Sequence, residues 1–384
     1  MHDPGTEESF YNMLEVMFLT PEQREMKAPF PWFGGKSQAS SLVWERFGNV
    51  PNYVEPFFGS GAVLLGRPHA PKIETVNDKD GFIANFWRAL QHDPDAVAAY
   101  ADCPVNENDL HARHTWLRAQ VADFVPRLEA DPDWYDVKIA GWWVWGMACW
   151  IGGGFCGDSG AGPWQVVDGR LVHLGDAGRG VTRRLVHLGN AGRGVKRQRV
   201  HLGDAGRGVS RQRVHLGSAG QGVSRQRVHL GNAGEGLRNW FTALAARLRF
   251  VRVCCGDWAR IVGDTPTIHH GVTGVFLDPP YSAEAGRDNT LYREEDMSVA
   301  HDVRAWAIAN GDRPLLRIAF CGYEGEHEMP SSWIKVKWKA QGGYANISRK
   351  GGKGKENRHR EVIWFSPHCL APRQPNLFEE QANA

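Results

Sequence analysis

Three short apolar segments of this chain each end in an acidic side chain, and a fourth ends in a glycine-rich turn. The acidic residues are Asp78 in "IETVND", Asp257 in "VRVCCGDW" and Asp278 in "GVFLDPPY". The glycine turn "EPFFGSGA" follows "NYV" and precedes an apolar run typical of a helix start. Strands alternating with helices predict an α/β fold with a largely parallel sheet. The carboxyl ends of parallel strands meet at one edge, where ligands bind, so the three acidic turns are expected to cluster there.

Further segments fit this alternation. Helices are predicted in "GFIANFWRAL", across residues 105–138, in "GWWVWGMACW" and in "LRNWFTALAARLRF", and strands in "LLRIAFCGYEG" and "REVIWFS". The tryptophans of the third helix are interpreted mainly as core residues. The uncharged run 139–157 has the length of a short membrane span, but "IGGGF" interrupts a helix, so it is interpreted as a buried helix.

The composition is that of a globular protein. The chain has 384 residues, 42% hydrophobic and 23% charged, enough for one large domain or two smaller ones. Its seven cysteines form no CxxC pair and no zinc-ligand spacing, which favours reduced thiols in a cytoplasm. The first residues are acidic without a basic segment, so no signal peptide is predicted.

A 14-residue repeat fills the middle of the chain. Five copies of "HLG-x-AG-x-G" begin at His173, His187, His201, His215 and His229. Three glycines per copy oppose a helix, and alternation in "RQRVHLG" places apolar and basic side chains on opposite strand faces. Each copy is therefore predicted to be a short strand with a glycine turn, and stacked copies would form a β-array with a row of arginines.

The repeat block is strongly basic. Residues 169–234 contain 13 Lys and Arg but 2 Asp, whereas the whole chain has a formal net charge of +2. A basic block on an otherwise acidic chain predicts binding to nucleic acid. The candidate DNA contacts are Arg197, Arg199, Arg211, Arg213, Arg225 and Arg227. The alternative is a tolerated surface loop that arose by replication slippage. The repeated histidines have no Cys or acidic partner, so no metal site is predicted.

The segment after the last acidic strand suits chemistry at an aromatic amine. Such an amine is a poor nucleophile because its lone pair is delocalised into the ring, and two acceptors on its hydrogens would localise that pair. Asp278 offers a carboxylate, and Pro279 offers a carbonyl that Pro280 restricts to an extended conformation. Tyr281 offers a ring to stack on a base. The group predicts methyl transfer to an exocyclic nitrogen of a flipped base, against the alternative of a proline-terminated strand with a solvated Asp.

The glycine turn suits a nucleoside cofactor. Gly59 and Gly61 would let a ligand approach the backbone, although a tight strand-to-helix turn explains them equally. Asp78, 17 residues after Gly61, stands where a carboxylate accepts both hydroxyls of a ribose. No phosphate-binding lysine motif is present, so the cofactor is expected to lack phosphates.

Taken in order, "PFPWFGGK", "VEPFFGSGAVLL", "VNDKD", "CCGDW" and "FLDPPY" resemble the motifs of Dam-type, α-group DNA adenine-N6 methyltransferases. "RIAFCGYEGEH" and "NRHREVIWFSPHC" are similar to the variants that phages and prophages carry. The resemblance spans roughly residues 28–370. It implies a Rossmann-like methyltransferase domain with an inserted target-recognition region that contains the β-type repeat.

The resemblance also implies S-adenosylmethionine as cofactor. Trp32 and Lys36 match the first cofactor motif, the segment from Glu55 to Gly61 matches the methionine site, Asp78 matches the ribose site, and Asp257 with Trp258 matches the adenine site. The implied cofactor residues are Trp32, Lys36, Glu55, Phe57, Gly59, Ser60, Gly61, Asp78, Asp257 and Trp258. The implied catalytic residues are Asp278, Pro279, Pro280 and Tyr281.

These assignments divide the chain. Residues 1–27 are expected to be an N-terminal tail, 28–104 and 236–370 the catalytic domain, and 105–235 the target-recognition region with repeats at about 170–235. Residues 371–384 are expected to be a disordered tail. The repeat lies where the family reads DNA, so no target sequence is carried over from the resemblance.

Three alternatives stay open. Ribosomal RNA methylases share the terminal D/N-P-P-Y/F, although "PWFGGK" and the long mid-chain insertion favour DNA. A cytosine-N4 methylase uses the same acceptor logic, but such enzymes usually carry Ser at the position of Asp278. A DNA-binding protein could also retain a methylase fold without activity, against which the intact DPPY segment and Asp78 argue.

The final tail suggests a second partner besides duplex DNA. Gln374, Leu377 and Phe378 resemble the Q-x-x-L-F peptide that docks replication enzymes on the bacterial sliding clamp, although Pro375 departs from the usual pattern. The alternative is that Leu377 and Phe378 pack back on the catalytic domain. The expected location is the cytoplasm of a bacterial cell or a phage-infected host, without a membrane partner.

Overall fold

The structure is a computed structural model that describes residues 26–30, 32, 36–150, 155–156, 164–167, 170–173, 232–281, 299–338 and 360–371. It divides into two compact units. The sheet unit comprises Trp32–Asp80 and Phe250–Ala384, and the helical unit comprises Met1–Pro31 and Gly81–Arg249. In sequence, the helical unit thus interrupts the sheet unit after its second strand. Compactness does not show which residues contact DNA, so the domain assignment from the sequence stays a prediction.

The described strands follow the chain as β1 Asn52–Glu55, β2 Ile73–Asp78, β3 Trp164–Val167, β4 Arg170–His173, β5 Val251–Cys255, β6 Thr273–Leu277, β7 Leu316–Tyr323, β8 Ile334–Lys337 and β9 Glu361–Phe365. The described α-helices are α1 Ser40–Phe47, α2 Ala62–Leu65, α3 Gly81–His92, α4 Pro94–Ala101, α5 Glu107–Ala130, α6 Val137–Cys149, α7 Asn232–Leu248 and α8 Val299–Asn310. Short 3₁₀ segments are Lys36–Gln38, Trp258–Ile261 and Ile268–His270.

The sheet unit contains, among the described residues, a seven-stranded sheet in the order β5-β2-β1-β6-β7-β9-β8. Neighbouring strands from β5 through β7 pair in parallel, whereas β9 runs antiparallel to both β7 and β8. The predicted α/β fold with a largely parallel sheet is confirmed. The order is compatible with a Rossmann-like methyltransferase.

Apolar sequence explains the central strands. Every residue of β1, β6 and β9 is buried, as expected for strands covered on both faces. Val275 and Leu277 of β6 share a core with Ile318 of β7 and Val362 of β9. Gly274 allows close packing, because a Cβ there would lie 2.7 Å from Cδ2 of Phe47 in α1. This packing holds the carboxyl ends of β1 and β6 side by side.

The order of the strands also locates a binding edge. From β1 the chain moves to β2 and β5 on one side, then returns to place β6 on the other side of β1. In open α/β sheets, ligands bind beyond the carboxyl ends of the strands at such a reversal. Glu55 ends β1, and Asp278 directly follows β6. The edge between them is therefore the expected site within the sheet unit.

The helical unit, as far as it is described, packs α3 to α7 around an aromatic core. Phe30 lies 4.9 Å from Trp143 and 5.4 Å from Phe86, measured between ring centroids, and both contacts are edge-on. Trp143 and Trp145 are each 1% exposed. The prediction that the tryptophans of "GWWVWGMACW" serve mainly as core residues is confirmed for these two. Trp142 is half-buried and lies 4.4 Å from the Lys138 ammonium.

The predicted helix over 105–138 divides in two. Helix α5 begins after Asn106, whose side chain accepts from the Asp109 N–H, and it ends at Ala130. Pro132 disfavours helical backbone at Asp131, which is extended, so the helix stops there. Helix α6 then starts after Asp136, whose carboxylate accepts from the Ile139 N–H at 2.8 Å. None of the described helices has both the length and the apolar character that a membrane span requires.

The repeat block lies almost entirely outside the described residues. Strands β3 and β4 pair antiparallel, with Trp164 opposite His173, the first repeated histidine. The later copies, the six candidate arginines and residues 372–384, which include Gln374, Leu377 and Phe378, lie outside the described part of the chain. The predicted β-array and the predicted terminal tail therefore stay predictions.

Candidate active site

The Asp278–Tyr281 segment leaves β6 at the expected edge and meets a buried lysine there. Nζ of Lys36 lies 2.9 Å from Oδ2 of Asp278, and the lysine side chain is 5% exposed. Lys36 lies in the 3₁₀ segment that precedes α1. Pro279 is buried, while Asp278, Pro280 and Tyr281 are partly exposed. The Asp278 carboxylate, which the sequence predicted as a functional group, is thus held by an ion pair directly after the carboxyl end of β6.

A second carboxylate completes a cluster around this ion pair. Oε2 of Glu361, the first residue of β9, lies 3.5 Å from Nζ of Lys36. The Tyr281 hydroxyl lies 3.2 Å from Oδ1 of Asp278 and 3.2 Å from Oε2 of Glu361. Two carboxylates therefore share one ammonium and one hydroxyl. We call Lys36, Asp278, Tyr281 and Glu361 the charge cluster.

Burial governs the electrostatics of the charge cluster. Burial by itself would lower the pKa of Lys36, but Asp278 and Glu361 outweigh it, so that this pKa lies well above its usual value. Burial, with the two carboxylates adding to it, raises the pKa of Tyr281 well above its usual range. Burial also raises the pKa of Glu361, against the opposing effect of Lys36. Lys36 is therefore a permanent cation, and Tyr281 is a hydrogen-bond donor at neutral pH.

An aromatic contact fixes the other side of Tyr281. Its ring packs edge-on against Tyr323 of β7, with centroids 4.5 Å apart. Tyr323 is the register partner of Glu361 in the antiparallel β7–β9 pair. The same two strands therefore supply both the acceptor for the Tyr281 hydroxyl and the ring that supports it.

The turn between β1 and α2 needs its glycines because of their backbone conformation and because an indole lies close to the turn. Gly59 has φ +48° and Gly61 has φ +68°, both in the left-handed region that favours glycine. A Cβ on Gly59 would lie 2.5 Å from Nε1 of Trp32, so the indole of Trp32 lies directly on the turn. Ser60 between them is buried. The turn is therefore a tight, buried connection that only glycine allows at these two positions.

Two residues at the end of β2 shape that turn. Oδ2 of Asp78 accepts from the Gly59 N–H at 2.9 Å, and Oδ1 accepts from the Asp80 N–H at 2.9 Å. The Asn77 side-chain amide donates to the Pro56 carbonyl at 3.1 Å and to the Gly256 carbonyl at 3.0 Å. Asn77 thus ties the turn after β1 to the turn after β5, and the orientation of the Asp78 carboxylate is fixed.

Glu55 lies beneath the glycine turn. It is 2% exposed, and its Oε2 accepts from the Tyr53 hydroxyl at 2.8 Å. Burial raises the pKa of Glu55 well above its usual value, although the bond from Tyr53 opposes that effect. Asp278 and Asp78 raise the pKa of Glu55 further. The carboxyl groups at the ends of β1, β2 and β6 therefore share one electrostatic environment.

An aromatic pair and an exposed carboxylate follow β5. The rings of Phe57 and Trp258 stack with centroids 6.3 Å apart, and Trp258 also meets Trp306 edge-on at 6.4 Å. Asp257 is exposed, and its Oδ1 accepts from the Ala259 N–H at 2.9 Å at the start of the 3₁₀ segment Trp258–Ile261. Half-buried rings beside a carboxylate suit a flat heterocycle that carries a donor group.

These residues fit a nucleoside with a free ribose. Each oxygen of Asp78 accepts one backbone hydrogen, so the carboxylate is oriented at the end of β2, where a ribose hydroxyl would be bound. A side chain at Gly59 would collide with Trp32, so only glycine fits at this position. The carboxylates of Asp78 and Asp278 favour a ligand with positive charge. No group of at least three His, Cys, Asp or Glu with metal-binding geometry occurs in the part of the chain that the structure describes.

Comparison with known proteins agrees with this chemistry. Residues 32–123 match the family model of the D12 class N6 adenine-specific DNA methyltransferases. The match supports an adenine-specific DNA methyltransferase, which acts on DNA. It includes Trp32, Lys36, the glycine turn and Asp78, and it ends before Asp278 and Glu361. No curated protein sequence matches the chain.

The structure brings most of the sequence-predicted residues to one sheet edge, at the ends of β1, β2, β5 and β6. It places Lys36, which the resemblance assigned to the cofactor, against Asp278. The sequence reasoning missed Glu361, Tyr323 and Asn77. An acid or amide at a strand end was the only local signal for Glu361 and Asn77, and none distinguished Tyr323.

Proposed function

We propose that the protein transfers the methyl group of S-adenosylmethionine to N6 of an adenine flipped out of duplex DNA. The observation that carries this proposal is the Asp278 carboxylate at the carboxyl end of β6, directly followed by Pro279, Pro280 and Tyr281 and held by Lys36. The family match supports methylation of DNA adenine in general, and the site chemistry supports the choice of an exocyclic nitrogen.

The chain would hold the cofactor with the residues around the glycine turn. Asp78 would accept the ribose hydroxyls, Phe57 and Trp258 would contact the adenine beside Asp257, and Trp32, Glu55, Ser60 and Gly61 would surround the methionine end. Bound S-adenosylmethionine supplies an electrophilic methyl group on a positively charged sulfonium. The carboxylates of Asp78 and Asp278 at this edge favour that positive charge.

The catalytic segment would prepare the amine. The free lone pair on each oxygen of Asp278 lets the carboxylate accept an amine hydrogen while Lys36 and Tyr281 stay in place. The Pro279 carbonyl, which Pro280 keeps extended, would accept the second hydrogen. Both bonds draw the lone pair of the nitrogen out of the ring and towards the methyl group. The Tyr281 ring would support the flipped base by stacking.

The test is methylation with tritiated S-adenosylmethionine of duplex DNA and of total RNA, followed by identification of the methylated nucleoside. We expect N6-methyladenine in DNA. Methylated RNA alone would favour the RNA enzyme, and N4-methylcytosine would favour the cytosine enzyme. Binding of S-adenosylmethionine without any transfer would leave a DNA-binding protein with an inactive methylase fold. Single-molecule sequencing of DNA from an expressing, methylation-deficient host would then give the target sequence.

The arginine-rich repeats are proposed as a DNA contact next to this activity. The observation in favour is their charge, since residues 169–234 contain 13 Lys and Arg and 2 Asp. Arg197, Arg199, Arg211, Arg213, Arg225 and Arg227 would contact phosphates, and so position the enzyme without reading sequence.

Docking on a bacterial sliding clamp is proposed for the tail, from Gln374, Leu377 and Phe378 alone. A labelled peptide of residues 370–384 should bind purified clamp with micromolar affinity, about −7 to −8 kcal/mol. Replacing Leu377 and Phe378 together by Ala should abolish the anisotropy change. Absence of binding by the unaltered peptide at tens of micromolar clamp would refute the docking.

A further inference from the structure

A buried glutamate outside the Asp278–Tyr281 segment contacts both partners of Asp278. Glu361 is 5% exposed, and its Oε2 reaches Nζ of Lys36 at 3.5 Å and the Tyr281 hydroxyl at 3.2 Å. The Lys36 and Tyr281 contacts to Asp278 are 2.9 Å and 3.2 Å. Glu361 therefore competes with Asp278 for one cation and one hydroxyl hydrogen.

We propose that Glu361 is a positioning residue for methyl transfer, which holds the Lys36 ammonium and the Tyr281 hydroxyl so that Asp278 stays available to the target amine. This inference rests on the proposed function of the site. Glu361 would not touch the substrate, and it would act through Asp278.

The charge balance of the cluster gives the first reason. With Lys36 and both carboxylates charged, the cluster has a net charge of −1; without Glu361, Lys36 would neutralise Asp278. Positive charge develops on the amine nitrogen as the methyl group is transferred. A preorganised negative charge beside that nitrogen stabilises the transition state more than the ground state. Exposure of 5% for Lys36 and 7% for the Glu361 side chain keeps solvent from screening this effect.

The hydrogen-bond balance gives the second reason. The Tyr281 hydroxyl has one hydrogen but lies 3.2 Å from two carboxylate oxygens. When that hydrogen goes to Glu361, Oδ1 of Asp278 is released for a hydrogen of the target amine. Without a second acceptor, the hydroxyl would stay on Asp278 and compete with the substrate.

The fold builds this arrangement at a cost. Burial of a carboxylate requires compensating partners, and Glu361 obtains them only because β9 runs antiparallel to β7 and places its first residue opposite Tyr323. The other four residues of β9 are buried, and their side chains are apolar apart from the indole N–H of Trp364. The contacts of Glu361 with Lys36 and Tyr281 explain why this otherwise apolar strand begins with a charged residue.

The test compares Glu361→Gln with Glu74→Gln as a matched control. Glu74 is also a buried strand carboxylate, 2% exposed, and its ion pair at 2.9 Å is with Arg67, which is not a member of the charge cluster. We expect Glu361→Gln to lower kcat by about 10- to 100-fold, somewhat less than removal of a direct transition-state contact. The Kd for S-adenosylmethionine should change less than about twofold. Glu74→Gln should lower Tm but leave kcat unchanged.

Glu361→Asp separates charge from shape. It keeps the negative charge but withdraws the carboxylate by one methylene, so we expect a kcat above that of Glu361→Gln. Single-turnover rates, normalised to the fraction that binds S-adenosylmethionine, remove any contribution from unfolded protein. Wild-type kcat in Glu361→Gln, a lower kcat for Asp than for Gln, or a change in cofactor Kd equal to the change in kcat would overturn the inference. If wild-type protein methylates no DNA, the proposed function fails instead.

Discussion

At the scale of single residues, Asp278 already has two polar side-chain partners in the protein without substrate. Lys36 and Tyr281 each contact one of its oxygens. The ion pair and the hydroxyl contact together orient the carboxylate. The catalytic role proposed for Asp278 can therefore be tested separately from cofactor binding, which we propose to depend on the turns after β1, β2 and β5.

Replacing Asp278 tests this separation. We expect Asp278→Ala to abolish methyl transfer, because the amine loses its charged acceptor, while the Kd for S-adenosylmethionine stays within about tenfold. Isothermal titration and a tritiated-methyl assay measure the two properties on the same sample. Substantial residual turnover would contradict the role assigned to Asp278.

Gly59 gives a second test, with Gly325 as its matched control. Both have a left-handed backbone, φ +48° and +86°. A Cβ at Gly59 would collide with Trp32, whereas no atom of the described residues lies within 4 Å of a Cβ at Gly325. The left-handed backbone conformation should lower the stability of each Ala variant by roughly 1–2 kcal/mol. We expect Gly59→Ala to lose more stability than Gly325→Ala and to bind S-adenosylmethionine at least about tenfold more weakly.

Urea unfolding and cofactor titration of the two variants supply the comparison. Equal stability losses would mean that Trp32 moves aside freely. Unchanged cofactor affinity in Gly59→Ala would place the cofactor away from this turn.

The sequence identified the residues of the site better than their partners. Asp278 and Gly59 stand in local patterns whose chemistry is readable on its own. Glu361 does not, because its role depends on the antiparallel pairing of β9 with β7, and no feature of "REVIWF" specifies that register. The Lys36–Asp278 contact likewise depends on how two distant segments fold together.

At the scale of elements, helix α5 carries a buried histidine that makes the helical unit sensitive to acid. His114 is 5% exposed and stacks on Trp150 with centroids 4.8 Å apart, and its Nε2 has no hydrogen-bond partner among the residues that the structure describes. Burial lowers its pKa to about 4, and the nearby Arg118 and His111 add to this. The folded protein therefore keeps this ring neutral.

This predicts a loss of stability in acid that one substitution removes. Above about pH 6.5 the imidazole of His114 is neutral in both the folded and the unfolded protein. Between about pH 6.5 and 4 it is protonated in the unfolded protein but stays neutral in the folded protein. The stability should fall by up to about 3 kcal/mol over that window. We expect His114→Phe to remove this part of the pH dependence, since Phe keeps the stacking and has no proton to bind.

The measurement is urea unfolding between pH 4 and 7.5. His92→Phe is the control, because His92 also stacks, on Tyr135 at 5.2 Å, but it is exposed. Parallel stability curves for wild type and His114→Phe would contradict the prediction.

Elements were predictable where apolar periodicity was strong. Strands β1, β2, β5, β6, β7 and β9 and helices α3, α6 and α7 coincide with predicted segments. Strand β8 escaped because "IKVK" is exposed or half-buried at every position and owes its conformation to pairing with β9. Helix α4 escaped because Pro94 at its first turn looks like a breaker, although proline is favoured there.

At the scale of the whole molecule, the basic repeats belong by residue number to the helical unit, whereas the charge cluster belongs to the sheet unit. Removal of residues 187–214, two complete repeats, should leave cofactor binding unchanged. DNA affinity should fall, and the log–log slope of affinity against salt should decrease by about 0.9 for each lost phosphate contact.

Fluorescence titration of labelled duplex DNA over a range of salt concentrations gives both quantities. A matched deletion elsewhere is unnecessary, because cofactor affinity reports the integrity of the sheet unit. Equal slope and affinity would favour the replication-slippage interpretation of the repeats.

The charge cluster draws Lys36 from before the repeats and Asp278, Tyr281 and Glu361 from after them. Each repeat is a whole number of codons, so gain or loss of entire copies preserves the reading frame and still allows both halves of the cluster to be translated. A slip of a single nucleotide within the block would instead remove Asp278 and Glu361 together. Changes in the number of whole repeats would thus alter the length of the basic segment and keep the charge cluster, whereas a frame-shifted product would lack the carboxylate proposed to accept a hydrogen of the target amine.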